Sequence, residues 1–318
     1  MKTPAFWNEK NWKSCTLWPL GLLYAFATKA RITFGKPQKI NKPVVCVGNL
    51  TAGGTGKTPI AIAIAKLLQS EGKKPFFVSR GYGGTLKGVT VNNQKHTAKE
   101  VGDEPLLLSK QAPVIVDTSR FQAAAKAANE GADIIIMDDG FQNPSLHKDL
   151  SFIVIDGNTW FGNGFCIPAG PLRETVDSGI KRADAIIIIE NKKRSQTLPN
   201  LPTFHANIAP IKPENKSDKI IAFAGIGRPE KFYDSLCELG LKPEKTFDFP
   251  DHHFYTENEL NTIIAEAKNI NAKIFTTSKD MVKIPNHLQK HFNVLEIKIQ
   301  WEDEKKLKEF ILEKIGNI

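Results

Sequence analysis

The sequence predicts an α/β protein: a parallel sheet flanked by helices, followed by a second, smaller α/β domain. Three observations support this fold class. After Pro43, short apolar runs alternate with helix-like segments, which is the pattern of strand–helix–strand units. A glycine-rich turn directly follows the first apolar run, at residues 49–59. A second alternation begins near residue 219, and a length of 318 residues suits two domains.

The first alternation contains short apolar runs bounded by turn residues. The candidate strands are 43–48, 75–79, 113–116, 133–137, 152–155 and 184–189, and the candidate helices are 57–70 and 119–130. In a parallel sheet of this kind, ligands bind at the carboxyl ends of the strands. The loops that follow these strands are therefore the first place to look for a site.

The second half repeats the alternation on a smaller scale. Residues 191–218 hold four prolines and several lysines and are predicted to be a connector. The segments after it are strands at 219–225, 273–277 and 293–299, and helices at 228–239, 256–269 and 303–316. We therefore divide the chain into an N-terminal region (1–40), a main domain with the connector (41–212) and a smaller domain (213–318), with a binding cleft between the two domains.

Charge and cysteine usage limit the possible functions. The formal net charge of +9 and the pI near 9.2 indicate an anionic partner, which is nucleic acid, an anionic membrane surface or a phosphorylated substrate. The four cysteines show no CxxC pair or metal-ligand spacing, so neither zinc nor a disulfide is expected. No helix-turn-helix or aromatic RNA-binding signature is present, so nucleic acid is not the expected partner.

The N-terminus carries an eleven-residue apolar run, 17–27, flanked by basic residues. It is shorter than the roughly 20 residues needed to cross a bilayer, and it lacks the layout of a signal peptide. Across the wider N-terminal region lysines are interleaved with aromatic residues, which is typical of a helix lying in the membrane interface; these residues are Trp7, Trp12, Trp18, Tyr24 and Phe26. A helix packed on its own domain explains the same pattern equally well.

The stretch "NLTAGGTGKTP" at 49–59 matches the phosphate-binding loop G-x-x-x-x-G-K-[ST], with Thr51 in place of the first glycine. In this loop, backbone N–H groups and the helix N-terminus hold the β-phosphate, Lys57 bridges the β- and γ-phosphates, and Thr58 ligates Mg²⁺. The candidate ATP-binding residues are accordingly Thr51, Ala52, Gly53, Gly54, Thr55, Gly56, Lys57 and Thr58.

A second motif, "IIIMDDGFQ" at 134–142, ends an apolar strand in two acids. This is the Walker B arrangement, in which a carboxylate at a strand end holds Mg²⁺. Asp138 and Asp139 point to opposite faces of the strand, so we expect them to do different work. Two classes of nucleotide switch are not supported, because Ala52 replaces the lysine of the dimerising ATPases and "NKKR" at 191–194 lacks the aspartate of the GTPase motif.

Further polar motifs lie in predicted loops: "SRGYGG" (79–84), "GDEP" (102–105), "DTSR" (117–120), "PAGPLRE" (168–174) and "FPDHH" (249–253). Arg120 and Arg173 suit either phosphate contacts or surface salt bridges. Asp103 is placed to accept a hydroxyl proton. His252 would tune or share that role, although a structural histidine is the alternative.

Seven motifs resemble, in the same order, those of the tetraacyldisaccharide 4'-kinase family of lipid A biosynthesis: "GNLTAGGTGKTP" (48–59), "SRGYGG", "GDEP", "DDGFQ" (138–142), "PAGPLRE", "FPDHH" and "TSKDMVK" (277–283). The resemblance implies ATP- and Mg²⁺-dependent phosphorylation of the 4'-hydroxyl of tetraacyldisaccharide 1-phosphate at the cytoplasmic face of the bacterial inner membrane. The implied partners are this lipid and an anionic membrane surface, with no nucleic acid and no obligate protein partner. Alternatives are a P-loop kinase of another glycolipid or sugar and, less in keeping with the motifs, a P-loop ATPase accessory protein.

The resemblance also implies roles for single residues. Asp103 would be the general base, paired with His252, which we favour over its neighbour His253 because it directly follows Asp251. The remaining residues fall into two groups. Mg²⁺ would be held by Thr58, Glu104 and Asp138 or Asp139, while Gln142, Tyr82, Arg120 and Arg173 would lie at the phosphates or the substrate.

Overall fold

The computed structural model describes residues 4–189, 201–213 and 219–316. Thirteen strands and eleven α-helices occur within these ranges. The strands are β1 (Val44–Gly48), β2 (Pro75–Ser79), β3 (Val89–Thr90), β4 (Val114–Val116), β5 (Ile134–Asp138), β6 (Leu150–Asp156), β7 (Ala185–Ile189), β8 (Thr203–Pro210), β9 (Ile220–Ala224), β10 (Pro243–Asp248), β11 (Lys273–Thr277), β12 (Phe292–Leu295) and β13 (Ile297–Trp301).

The helices cover both faces of the sheets, as the alternation predicts. They are α1 (Trp12–Thr33), α2 (Lys57–Ser70), α3 (Ala98–Val101), α4 (Asp103–Ser109), α5 (Arg120–Asn129), α6 (Val176–Ile180), α7 (Pro229–Glu238), α8 (Glu257–Asn269), α9 (Ser278–Met281), α10 (Asn286–Gln289) and α11 (Glu304–Gly316).

The larger sheet has the order β13-β8-β7-β6-β1-β5-β2-β4-β3. Its strands β8 to β4 are parallel, and the two edge strands β13 and β3 are antiparallel to their neighbours. The central strands β1, β5 and β7 are buried along their whole length, because helices cover both faces. All six strands and both helices predicted for this part of the chain are confirmed.

The smaller sheet has the order β10-β9-β11-β12 and is fully parallel. Separate apolar clusters lie on its two faces. One is built around Phe223 and helix α8, and the other around Phe275 and helix α7. The predicted second α/β unit is therefore present in the structure.

The C-terminal segment does not follow the sequence prediction. The single strand expected at 293–299 is two strands, and the second, β13, pairs with β8 in the larger sheet. Helix α11 buries Leu307, Ile311 and Ile315 against the core of that sheet, not in the smaller unit. The C-terminal segment packs on the larger sheet because the apolar face of α11 is buried there, in the core of that sheet.

The predicted connector at 191–218 also differs. Residues Thr203–Pro210 form β8 inside the larger sheet, although two prolines bound or end the segment. The rest of the predicted connector falls partly on 190–200 and 214–218, outside the described residues.

Helix α1 has two faces of different character. Ser14, Gly21, Ala25 and Thr28 are buried against the protein, whereas the opposite side exposes large apolar side chains. The segment before it is tied down, since the indole Nε1–H of Trp7 donates to the carbonyl of Pro168 at 3.0 Å. Within the described residues, no helix combines the length and the apolar character that crossing a bilayer requires.

Candidate active site

The glycine-rich loop lies at the carboxyl end of β1, and helix α2 begins directly after it at Lys57. Gly56 has a φ of +85°, and a Cβ there would lie 2.6 Å from Cδ1 of Ile189, so this position needs glycine. Residues Gly53 to Thr58 line a cleft of about 1470 Å³ whose walls come from both sheets. The loop therefore has the position and conformation of a phosphate-binding loop.

The first two residues assigned to ATP binding do not face this cleft. Thr51 is buried and bridges Leu172, and the N–H of Ala52 donates to the carbonyl of Pro171 at 2.7 Å. The side-chain amide of Asn49 donates a hydrogen bond to the carbonyl of Thr51 at 2.7 Å and so helps to hold the start of the loop. Since these groups already have partners in the protein, Thr51 and Ala52 shape the loop and do not line the cleft.

Thr58 and Asp138 form the contact expected of a phosphate loop and an acidic strand end. The Thr58 hydroxyl donates to Oδ2 of Asp138 at 2.7 Å. Burial raises the pKa of Asp138 to about 6, although the hydrogen bond from Thr58 lowers it. Within the described residues, Oδ1 of Asp138 is buried without a hydrogen-bond partner. Because a buried acceptor is costly to leave unpaired, this oxygen fits a bound cation.

Asp139 points elsewhere, because it lies just beyond the end of β5 and its backbone has left the strand conformation. Its Oδ1 accepts from Nη1 of Arg173 at 2.7 Å and lies 3.8 Å from Nζ of Lys57. Burial alone would raise the pKa of Asp139, but the charges of Lys57 and Arg173 lower it overall. Asp139 has a φ of +53°, which is uncommon for a residue other than glycine and frequent at functional sites.

Arg120 differs from both interpretations of the sequence. It is the first residue of α5, not a loop residue, and it is only 7% exposed, so it is not a surface salt bridge. Its Nε and Nη1 are buried and lack hydrogen-bond partners among the described residues. Burial lowers the pKa of Arg120, opposed by Asp139. A buried, unpaired guanidinium lining the cleft is suited to binding an anion.

Asp103 and His252 meet across the cleft. Nδ1 of His252 lies 3.0 Å from Oδ2 of Asp103 and 3.1 Å from Oδ1. Burial would raise the pKa of Asp103, but the hydrogen bond with His252 and the charge of Lys279 lower it to about 2. The same hydrogen bond raises the pKa of His252, against the effect of burial. Asp103 is thus held as a carboxylate beside a histidine.

The "GDEP" segment is not a loop, as the sequence suggested, since Asp103 is the first residue of helix α4. Gly102 before it has a φ of +94°, and a Cβ there would lie 2.8 Å from the carbonyl oxygen of Tyr82. Only glycine allows this approach. The Tyr82 loop is thereby brought beside the acid–histidine pair, and the exposed Tyr82 ring meets that of His252 edge-on at 5.7 Å.

The structure separates the two adjacent histidines. His252 has a φ of +61° and faces Asp103, whereas Nε2 of His253 lies 3.1 Å from Glu259. The ring of His253 also stacks on Phe249 at 4.9 Å. His253 is therefore part of the packing of the smaller unit, and His252 is the imidazole at the site.

Gln142 lines the cleft at the base of the glycine-rich loop. Its side-chain amide donates to the carbonyl of Asn49 at 2.8 Å and to Oε1 of Glu174 at 3.0 Å. These contacts place Gln142 next to the loop but commit both donors of its amide to the protein.

Sequence reasoning assigned no role to Lys279, which the structure brings into the site. Its Nζ lies 3.1 Å from Oε1 of Glu104, 3.7 Å from Oδ2 of Asp103 and 3.4 Å from Nε2 of His252. The "TSKDMVK" motif that contains it was noticed only as a point of resemblance. Its distance in sequence from Asp103 left no local signal of this contact.

A second contact missed from the sequence also crosses the cleft. Asp156, at the end of β6, accepts from Nη1 of Arg228 at 2.8 Å and from Nζ of Lys231 at 2.7 Å, and both cations belong to the start of α7. The side chain of Asp156 is only 2% exposed. This ion cluster joins the smaller unit to the larger sheet.

In the part of the chain that the structure describes, two groups of side chains are candidates for holding a metal ion. The Thr58 hydroxyl and the free oxygen of Asp138 form one group beside the glycine-rich loop. Asp103, Glu104 and His252 form the other, with ligand atoms within 4.8 Å of one another. Lys279 already contacts every member of the second group, so the first is the better fit for a divalent ion.

The fold and the cleft define the class of protein: an α/β P-loop phosphotransferase whose phosphate-binding loop, acidic strand end and acid–histidine pair face one cleft. The family model described as tetraacyldisaccharide-1-P 4'-kinase matches residues 13–316. The chain belongs to this family.

Relatives and a solved structure agree with the family match. The tetraacyldisaccharide 4'-kinase of Paramagnetospirillum magneticum is 43% identical over 310 residues, covering 95% of each chain. That of Rhodospirillum rubrum is 41% identical over 313 residues, again covering 95% of each. The crystal structure of LpxK from Aquifex aeolicus in complex with ATP superposes with a TM-score of 0.79 at 29% identity, covering 95% of this chain and 99% of that one.

Proposed function

We propose that this protein transfers the γ-phosphate of ATP to the 4'-hydroxyl of tetraacyldisaccharide 1-phosphate, a lipid A precursor. The observation that carries the proposal is the contact between Asp103 and His252 in the same cleft as the glycine-rich loop. A loop alone supports nucleotide binding. An acid–histidine pair facing it adds the means to receive the proton of an acceptor hydroxyl.

ATP would be held by Gly53 to Thr58, with Lys57 beside its β- and γ-phosphates. Burial lowers the pKa of Lys57. The negative charge of Asp139, whose Oδ1 lies 3.8 Å from Nζ of Lys57, opposes this effect. Arg120 and Arg173 also line the cleft and would balance charge on the phosphates or on the 1-phosphate of the acceptor. Because phosphoryl transfer passes through a loose transition state, positioning and charge balance carry most of the catalysis.

Mg²⁺ would be held by Thr58 and Asp138, with Glu104 as a further candidate. The ion would neutralise charge on the β- and γ-phosphates. The unpaired Oδ1 of Asp138 supports this assignment, whereas Asp139 is engaged by Arg173. Asp138 is therefore our candidate for the direct ligand.

Asp103 would accept the proton of the acceptor hydroxyl, and His252 would orient it. With a pKa of about 2, Asp103 is a weak base, so this step would assist transfer without dominating it. Tyr82, exposed beside His252, would contact the acceptor sugar. In this structure Asp103 and His252 are within hydrogen-bond distance of each other, so this pair is assembled without ATP-driven closure.

A lipid acceptor requires a membrane surface, which in this proposal is the cytoplasmic face of the inner membrane, and the exposed side of α1 supports contact with a membrane surface. Its exposed large apolar residues are Trp12, Trp18, Leu20, Leu22, Leu23, Tyr24 and Phe26, and Phe34 is exposed directly after the helix. With lysines and Arg31 nearby, this surface suits a helix lying in an anionic interface.

The test is transfer of labelled γ-phosphate from ATP, with Mg²⁺ and detergent, to tetraacyldisaccharide 1-phosphate, using Lys57→Ala as the control. A bisphosphorylated lipid that is absent in the control is the expected result. ATP consumption without labelled lipid would reject this acceptor and indicate another glycolipid or sugar. Hydrolysis that responds only to an added protein or DNA would indicate an accessory ATPase.

A further inference from the structure

We infer that Lys279 supplies a built-in cation for the cluster of Asp103, Glu104 and His252, holding the three together and keeping free divalent ions out of it. The inference deepens the proposed phosphotransferase site and rests on that function for its purpose. Its physical content is independent of ATP, because it concerns which cation occupies the cluster.

The geometry of the cluster is that of a cation site. One ligand atom from each of Asp103, Glu104 and His252 lies within 4.8 Å of the other two. Carboxylates and an imidazole form a donor set that binds divalent metals such as Mn²⁺. Two adjacent carboxylates at the start of one helix repel each other unless a cation is near.

The ammonium of Lys279 is that cation. Its contacts with Glu104, Asp103 and His252, at 3.1, 3.7 and 3.4 Å, reach every member of the cluster. A fourth contact, 3.5 Å, joins it to Oδ1 of Asp251. With its side chain only 21% exposed, Lys279 is held within the cluster and does not extend into solvent.

The backbone that carries Lys279 is firmly fixed. Its neighbour Asp280 is fully buried and accepts hydrogen bonds from the hydroxyl of Tyr255 at 2.8 Å and the N–H of Gly225 at 3.1 Å. Lys283 forms an ion pair with the same carboxylate at 2.6 Å. This network anchors the backbone of α9 in the smaller unit, from which the Lys279 side chain reaches Asp103 and Glu104.

The consequence concerns where a metal binds. With Lys279 in the cluster, a free divalent ion would have to displace an anchored ammonium to reach Asp103. The ion is thereby directed to Thr58 and Asp138, beside the phosphate loop. Lys279 is in this sense a positioning residue: it acts through Asp103, Glu104 and His252.

The test is the binding of Mn²⁺ without nucleotide, measured by electron paramagnetic resonance on the full chain. Lys279→Met should gain one Mn²⁺ site that wild type does not show, even at about tenfold higher Mn²⁺ concentration. Adding Glu104→Gln to this variant should remove the new site. Lys279→Arg should behave like wild type, and Lys298→Met, which removes the same charge from an exposed position in the cleft, should gain nothing.

Three outcomes would overturn the inference. These are no gain of Mn²⁺ binding in Lys279→Met, a gain that survives Glu104→Gln, and a nucleotide-free site in wild type that Glu104→Gln abolishes. Thermal unfolding checks that the variants fold, and Lys279→Gln replaces Lys279→Met if the latter does not. Because no step uses ATP or the lipid, a negative result here leaves the proposed kinase function untouched.

Discussion

His252 and Asp103 lie 149 residues apart in the chain, yet Nδ1 of the imidazole lies 3.0 Å from Oδ2 of the carboxylate. Asp103 begins a helix beside the larger sheet, and His252 follows β10 of the smaller one. The contact therefore depends on how the two sheets are held together. It is the feature that turns a nucleotide-binding loop into a candidate transfer site.

Charge balance should matter more to catalysis than the acid–histidine pair. We expect Lys57→Ala and Asp138→Ala to lower kcat/KM by more than about 10³-fold, and His252→Ala by about 10²-fold. The reason is the loose transition state, which needs little help from a base. Steady-state kinetics on the three variants measures the ranking, and equal losses in all three would contradict it.

The two acids at the end of β5 should separate by their effect on Mg²⁺. Asp138→Asn should raise the Mg²⁺ concentration needed for half-maximal activity by about tenfold or more, because it changes the carboxylate whose buried Oδ1 has no hydrogen-bond partner among the described residues. The matched variant Asp139→Asn should weaken ATP binding through Lys57 and Arg173 with little change in the Mg²⁺ requirement. Mg²⁺ titrations of both variants distinguish these effects, and the reverse pattern would exchange the two roles.

The ion cluster of Asp156, Arg228 and Lys231 should stabilise the packing of the smaller unit against the larger sheet. Asp156→Asn should lower the free energy of unfolding by about 1–2 kcal/mol, a moderate value because Arg228 and Lys231 are 32% and 48% exposed. Denaturant unfolding measures this, with Glu244→Gln as a charge-matched control at an exposed position. Equal stability of the two variants would show that the cluster contributes nothing.

The same cluster predicts a pH dependence. Burial raises the pKa of Asp156, but Lys231 and Arg228 lower it overall below the ordinary 3.8. A carboxylate with a lowered folded-state pKa stabilises the protein above its ordinary pKa, and the contribution is lost as pH falls through the lowered value. The difference between wild type and Asp156→Asn should persist at neutral pH and shrink below 3.8. Unfolding at a series of pH values checks the sign, and a difference that grows in acid would refute it.

The exposed face of α1 should bind membranes without contributing to folding. Leu23 and Phe26 are 65% and 72% exposed, so Leu23→Glu with Phe26→Glu should leave Tm near the wild-type value. Recovery on vesicles of phosphatidylcholine and phosphatidylglycerol should fall by about tenfold or more, because charges are disfavoured at the apolar boundary.

The control for this surface is Thr262→Glu with Ala265→Glu, which adds the same charge to exposed positions of α8. Similar losses in both double variants would point to general electrostatic repulsion and away from a specific surface on α1. Deleting residues 1–34 is a less suitable test, because Trp7 and the buried side of α1 pack against the protein.

Features formed by residues close together in the chain could be predicted from the sequence. Apolar runs with turn residues on both sides located β1 to β7, apart from the two-residue β3, and the glycine-rich loop was readable because its chemistry lies within six consecutive residues, Gly53 to Thr58. The acids at the end of β5 were recognisable for the same reason. The sequence indicated that the two acids have different roles but not which acid has which role. That depends on the contacts of Asp138 with Thr58 and of Asp139 with Arg173, which form only in the folded chain.

Contacts between segments far apart in the chain could not be predicted and are visible only in the folded protein. The pairing of β8 with β13 places the C-terminal strand and helix on the larger sheet, and strand pairing between remote segments leaves little trace in local periodicity. Lys279, Glu104, Asp103 and His252 come together for the same reason. The local pattern of apolar and polar residues indicates whether a segment is a strand or a helix and which side of it is buried. Which segments pack together depends on the burial of whole apolar faces. In this protein, that packing brings Lys279 and His252 of the smaller unit to the cleft.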